Sequence, residues 1–304
     1  MQKPDRTPLT EFIQNSRPLG LLAGMLLYAL GGGVIAYLGE SIDWSVYWLG
    51  QACVILLQLS SSYLLVYYDR LQEIRRAARA TKNPRADQQY RALTSGYLLA
   101  AVTTLTMGAM LTVLLLSRGE LSPASLLILG LAFLFAFLYA VPPLRLAYTG
   151  YGELIAAVLL TNLIPAFAYL LQGGELMGVL GVLSFPLTTL YLAFSLATSL
   201  ENYFAEIKRG RQNLMIRLGW QRGMFLHNLC ILIAYLTIGL SVFFDLPWTL
   251  TWPRLLTLPL GLFQVWQIWQ ISQGAKPRWR LLRITAAASF AITVYLLVFT
   301  LWVI

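Results

Sequence analysis

The sequence predicts an all-α membrane protein: nine transmembrane helices in one bundle, with cytoplasmic loops 2–3 and 6–7 lying over a central cavity. Three observations carry the helical, membrane-embedded part of that prediction. Of the 304 residues, 58% are hydrophobic and 12% charged, whereas a soluble domain carries about 25% charged residues. The apolar residues gather in runs of about 20, the length that crosses a bilayer at 1.5 Å per residue. The runs lack the two-residue alternation of a membrane barrel, and lipid tolerates no bare backbone polar groups, so they are helices.

In chain order the spans are expected over 18–38, 44–68, 94–116, 122–141, 154–172, 177–200, 224–243, 255–272 and 281–303. All of 1–304 reads as one membrane domain, with 1–16 a short polar segment ahead of it. That segment is polar and the first apolar run is too long for a signal-peptide core, so no cleaved leader is expected. Basic residues fix the orientation. Twenty of the 22 Lys and Arg residues fall on one set of loops, leaving Arg118 and Arg254 on the other. The N-terminus and basic loops are therefore expected in the cytoplasm, and Ile304 outside, in a cytoplasmic membrane. This bias accounts for the basic pI of about 9.7; no nucleic-acid partner is expected, and the loops suit anionic lipid headgroups. Cys53, Cys230 and His227 stand apart from any metal-ligand cluster and read as buried structural residues.

The polar exceptions to this apolar chain are the candidate chemistry. Asp69 and Glu73 follow the second span four residues apart, on one helix face. Asn202 and Glu206 follow the sixth span at the same spacing. Two facing pairs of oxygen ligands suit Mg²⁺ and a phosphorylated substrate. Spacing alone leaves open a plainer reading, solvated carboxylates paired with Arg70, Arg75 or Lys208. Lys208, Arg209 and Arg211 form a cationic cluster beside Glu206. Tyr139-Ala140-Val141-Pro142-Pro143-Leu144-Arg145-Leu146 closes the fourth span, because proline lacks the N–H a helix needs; it sets Arg145 on the same membrane face. Tyr63 and Tyr67 lie one turn apart beside Asp69, placed either for cation–π contact or for packing. Gln58, Asn162, Gln264, Gln267 and Gln270 lie within spans and suit interhelical hydrogen bonds; Asn162 and Gln58 are also candidates to line a cavity.

These stretches resemble one family. YAVPPLRLAYTGYGEL resembles the YxxPPxRLxxxGxGEL stretch of the UbiA superfamily of intramembrane aromatic prenyltransferases, and GRQNLMIRLGW is similar to its GKxTLxxRLG segment. Ser16-Arg17-Pro18 is similar to the Arg-Pro pair that usually precedes its first span, and GELIAAVLLTNLIPAFAYLLQ looks closest to the dihydroxynaphthoate, menaquinone-type branch. The resemblance implies a polyprenyl diphosphate held through Mg²⁺ between two acidic motifs, and an aromatic acceptor that attacks the allylic cation. It implies catalytic and metal-binding roles for Asp69, Glu73, Asn202 and Glu206. It adds diphosphate contacts from Arg145, Lys208, Arg209 and Arg211, and a prenyl and acceptor cavity bordered by Tyr63, Tyr67, Tyr139 and Asn162.

The departures fall on the chemistry. The family's NDxxDxxxD aligns with Leu65-Val66-Tyr67-Tyr68-Asp69-Arg70-Leu71-Gln72-Glu73, so two ligand positions are apolar. Its DxxxD is Asn202-x-x-x-Glu206. Three carboxylates, Asp69, Glu73 and Glu206, stand where the family pattern has five. Glu201 lies about 140° round the helix from Glu206 and points elsewhere. Cationic side chains are expected to take over part of the metal's role. A family member that binds an isoprenoid lipid or a partner without turnover is the alternative. A transporter is the third reading, against which stands the absence of any visible sequence repeat between the halves.

Overall fold

The structure is a computed structural model that describes residues 8–80, 84–175, 178–244 and 246–303, with side chains except at 8–11 and 75–93. Among the described residues its regular secondary structure is helical, with one isolated β-bridge between loops. A short helix α1 (Pro8–Asn15) leads into α2 (Pro18–Tyr37). Then follow α3 (Trp44–Ala80), α4 (Pro84–Ser117) and α5 (Pro123–Ala140). The next span is α6 (Gly152–Val158), a π-helical turn over Leu159–Leu163, and α7 (Ile164–Leu171). The chain continues through α8 (Gly178–Glu201), α9 (Tyr203–Lys208), α10 (Leu214–Leu218) and α11 (Trp220–Leu240). It ends with α12 (Trp248–Leu255), α13 (Leu258–Ser272) and α14 (Trp279–Val303).

Among the described residues, eight stretches are long and apolar enough to cross a membrane, and they correspond to eight of the nine expected spans. The expected span over 255–272 differs. It is filled by α13, which begins at Leu258 after the separate helix α12 and has 15 residues, about 22 Å of helix against a hydrocarbon core of about 30 Å. Proline is the reason: Pro253 lies inside α12 and Pro259 at the start of α13, and each lacks a backbone donor. The expected loop over 70–93 is also different. The 37 residues of α3 make about 55 Å of helix, so α3 outruns the membrane, and α4 begins again at Pro84. Segment 70–93 is thus largely a helical hairpin. The basic side chains of this segment, Arg75, Arg76, Arg79, Lys82, Arg85 and Arg91, lie outside those described, as does Ile304.

The core is centred on α7, all eight residues of which are buried. It packs against α2, α3, α5 and α8. Gly31 of α2 permits this: a Cβ there would meet the Pro165 carbonyl at 2.2 Å. The π turn before Pro165 fits the donor that proline removes from the helical ladder. α14 packs on α2, α8 and α13, and α8 on α11. Most buried side chains are aliphatic or aromatic, while Leu99, Met110, Val113, Leu127 and Phe225 stand exposed on the outside, as lipid-facing residues do.

Candidate diphosphate site and adjoining cavity

Two loops build the site. After α5 the Pro142–Pro143 pair leads to Arg145, whose backbone is left-handed (φ 41°), a conformation that costs a non-glycine residue about 1–2 kcal/mol. Its side chain is turned inward and 9% exposed. The second loop follows α9 and carries Arg211. The loops are joined by a parallel bridge between Thr149 and Gln212. The Arg217 guanidinium donates to the Thr149 carbonyl at 3.2 Å and lies 4.1 Å over the Tyr151 ring. Gly150 (φ 89°) allows this: a Cβ would meet the Arg217 chain at 3.0 Å. Glu153, at the start of α6, accepts from Ser199 Oγ at 3.2 Å and from the Leu214 N–H at 3.1 Å. It ties α6 to the end of α8 and the start of α10.

These ties bring Arg145, Tyr148 and Arg211 onto Asp69 of α3. Arg145 Nη2 donates to Asp69 Oδ1. Tyr148 donates to Oδ2 at 2.7 Å, and Arg211 Nη2 lies 3.1 Å from the same oxygen. The Tyr148 ring is flanked by both guanidiniums, at 4.6 and 4.8 Å. Burial, with the Asp69 carboxylate beside it, holds the Tyr148 phenol well above its usual pKa, so it stays a hydrogen-bond donor. Glu206 accepts from Arg209 at 3.2 Å and lies 3.7 Å from Arg211. A polar pocket of about 360 Å³ adjoins the cluster; Asp69, Gln72, Glu73, Arg145, Tyr148, Arg209 and Arg211 are among its walls.

One turn deeper on α3, Leu65 shares the Asp69 face and borders a second cavity of about 210 Å³ between α2, α3, α5, the π turn and α8. Its polar lining includes Arg17, Gln58, Ser61, Tyr139 and Tyr191. Arg17 is left-handed (φ 54°). Burial lowers its pKa, and the phenols of Tyr139, Tyr148 and Tyr191 outweigh that and raise it, so it remains a cation. The Gln58 Oε1 is buried without a hydrogen-bond partner. Gly24 opposite makes room for that side chain, since a Cβ there would strike it at 2.2 Å.

The expected residues divide accordingly. Asp69, Glu73, Arg145, Arg209 and Arg211 line the polar pocket, and Tyr139 lines the cavity. Glu206 is brought to the edge of the cluster by Arg211. The rest stand elsewhere. Asn202 is exposed at the junction of α8 and α9, where it caps α9, and its side chain donates to the Thr198 carbonyl at 3.3 Å. Lys208 is exposed on α9 and is not among the pocket walls. Tyr63 stacks on Phe12 and packs with Tyr97, and Tyr67 packs on Tyr68; neither lines the cavity. Asn162, in the π turn, faces α8 and bonds Thr188 at 2.9 Å and Ser184 at 3.0 Å. Glu201 does point away from Glu206, toward Arg283 at 3.4 Å. Two residues that sequence reasoning passed over belong to the site. Tyr148 lay inside the quoted YAVPPLRLAYTGYGEL stretch, and Tyr191 lay in an ordinary apolar span with no local signal.

The donor set can be compared with a two-metal site. Both oxygens of Asp69 and both of Glu206 are turned on guanidiniums or the Tyr148 hydroxyl. Among the described residues no three His, Cys, Asp or Glu side chains group as metal ligands. This arrangement does not fit a pair of Mg²⁺ ions, which need the same oxygens.

Comparison with known proteins agrees with this architecture. Residues 25–290 match the model of the UbiA prenyltransferase family. The chain is similar to the chloroplastic 2-carboxy-1,4-naphthoquinone phytyltransferase of Arabidopsis thaliana, 28% identical over 181 residues. That match covers 55% of this chain and 46% of the relative, so the chain spans about half the relative's length. Its fold is that of a UbiA homologue from Archaeoglobus fulgidus solved with GPP and Mg²⁺ (TM-score 0.64, 16% identity, 94% of this chain and 99% of that one). It is also like that of a digeranylgeranylglyceryl phosphate synthase (TM-score 0.58, 13% identity, 97% and 98% covered). The chain belongs to the UbiA prenyltransferase family.

Proposed function

We propose that this protein transfers a prenyl group from its diphosphate to an aromatic acceptor bearing a carboxylate, within the plane of the membrane and on its cytoplasmic side. The observation that carries the reading is the stacking of two sites along α3: a guanidinium cluster at Asp69 and, one turn deeper, a mostly apolar cavity with a lone cation, Arg17. A prenyl diphosphate has that division, a highly charged head on an apolar tail. The basic loops on one side support the orientation.

In this reading Arg145 and Arg211 hold the diphosphate, and Leu57, Leu65, Leu159 and Leu160 surround the prenyl chain and exclude water. The allylic C–O bond breaks and its electron pair leaves on the diphosphate, whose charge the guanidiniums stabilise as it develops. A ring carbon of the acceptor supplies the pair for the new C–C bond, and its displaced proton passes to the released diphosphate. Tyr139 faces the cation. Arg17 orients the acceptor by its carboxylate; the printed name of the plant relative describes such an acceptor. Mg²⁺, present with the substrate in the archaeal homologue, supplies countercharge to a leaving diphosphate when bound; in this chain guanidiniums supply much of it.

The test is incubation of the protein in nanodiscs with labelled geranyl or geranylgeranyl diphosphate and a panel of aromatic carboxylates, with Mg²⁺. Prenylated product and pyrophosphate are expected, and Arg145→Ala should lose both. Bound labelled lipid without product from any acceptor would overturn the transferase reading in favour of a non-catalytic isoprenoid binder.

A further inference from the structure

Asp69 occupies the position of an anion bound to a receptor. Three donors on two loops converge on its one carboxylate: Arg145, Tyr148 and Arg211. Planar guanidiniums matched to two oxygens are how proteins grip phosphates. The cluster also has donor capacity left over. Arg145 is buried and its Nε has no acceptor, which is costly for a charged group held away from water. Two guanidiniums face a single charge at Asp69, and Glu206 is shared between Arg211 and Arg209. The adjoining pocket of about 360 Å³ gives a larger anion room to enter.

We infer that Asp69 is an internal stand-in for the substrate's diphosphate, holding Arg145, Tyr148 and Arg211 in place until the diphosphate displaces it. This rests on the prenyl-diphosphate reading above and deepens it. A diphosphate carries more charge and more acceptor oxygens than a carboxylate, so it wins the guanidiniums and satisfies the leftover donor. Asp69 is then a positioning residue and a competitor. The sign of its effect is opposite to that of a metal ligand: a ligand's removal weakens diphosphate binding, whereas a competitor's removal strengthens it.

Binding is the readout, by titration calorimetry on the full chain in nanodiscs. The probes are inorganic pyrophosphate and geranyl S-thiolodiphosphate, whose allylic C–S bond resists the ionisation that the natural C–O bond undergoes. Wild type is expected to bind both in excess EDTA. Asp69→Asn should bind about tenfold tighter in EDTA, equivalent to about 1.4 kcal/mol, and Arg145→Gln should bind at least tenfold more weakly. Tyr148→Phe, which removes one donor and leaves every charge, keeps the test alive if Asp69→Asn does not fold. Its binding in EDTA should weaken by a few fold, as expected for a donor handed from Asp69 to the ligand. Binding by wild type only with Mg²⁺, or its loss in Asp69→Asn with Mg²⁺ present, would overturn the inference and leave the diphosphate reading standing. No binding of either probe with or without Mg²⁺ would overturn both.

Discussion

Two of the regions in which the molecule buries polar side chains behave differently. In the half built by α11 to α14, most buried polar groups find neutral partners, although Arg254 is a buried charge whose Nη1 has none. Tyr235 donates to the Thr257 carbonyl at 2.8 Å, and Thr257 pairs with Thr293 at 2.7 Å. Gln264 donates to the Thr285 carbonyl at 3.0 Å and meets His227 at 3.3 Å, while Thr285 donates to Gln267 at 3.1 Å. At the Asp69 cluster the groups are charged, cations outnumber the carboxylate they surround, and one donor is left over beside a pocket. Burial of polar residues is common to both regions. What sets the Asp69 cluster apart is that two guanidiniums converge on one carboxylate beside a polar pocket.

That contrast is most easily broken at Arg145. Arg145→Ala should reduce pyrophosphate release by about 10²–10³-fold, the range for loss of one donor to a developing anion. A smaller loss, below about tenfold, would mean the cluster is only an ion-pair staple. Arg17→Gln probes the deeper cavity. It should raise KM for a carboxylated acceptor by about 10–100-fold, as a charge-assisted hydrogen bond is worth about 1.5–3 kcal/mol, and leave diphosphate affinity unchanged. Equal effects on both substrates would remove Arg17 from the acceptor. Glu153→Ala should lower stability by about 1–3 kcal/mol, because the Leu214 N–H and Ser199 lose their acceptor. Thermal unfolding would report that, with a drop in turnover as the Arg211 loop loosens. On the neutral side, Gln264→Leu should cost about 1 kcal/mol or less and leave turnover at the wild-type value; a large loss of activity there would end the distinction between the two regions.

The pH dependence follows from Tyr148. Its pKa is raised in the folded protein by burial and by Asp69. The associated stability is therefore fully present below the unfolded phenol's pKa of about 10, and is lost as pH rises from there toward the folded value. Tyr148→Phe should flatten the loss of stability above about pH 10 in a thermal-shift series.

Much of the fold was legible because lipid simplifies the rules. A run of about 20 apolar residues has one solution, and eight of the nine expected spans appear. The exception is the span expected over 255–272, where α13 begins only at Leu258, next to Pro259, and has 15 residues. At the site, Asp69 and Glu73 shared a face as their spacing required, because α3 runs unbroken through both. Asn202 and Glu206 keep a helical hydrogen bond, the Glu206 N–H meeting the Asn202 carbonyl at 2.9 Å, but the Asn202 side chain is exposed and bonds the Thr198 carbonyl. Asn162 and Tyr63 satisfied the same chemical description as cavity residues, and their neighbours turned them to packing instead.

The sequence by itself determined that the chain is a helical membrane protein and that its charge gathers on one set of loops. Those follow from composition and periodicity, each confined to a few adjacent turns, whereas a common role for Arg145, Arg211 and Asp69 was implied only by the family resemblance. Only the tertiary structure decided that Arg145 and Arg211 close on Asp69 from two loops some 65 residues apart, that Tyr148 lies between them, and that Arg17 and Tyr191 share a cavity. Those contacts depend on the Thr149–Gln212 bridge and the Glu153 tie, pairings between distant segments that no local pattern encodes.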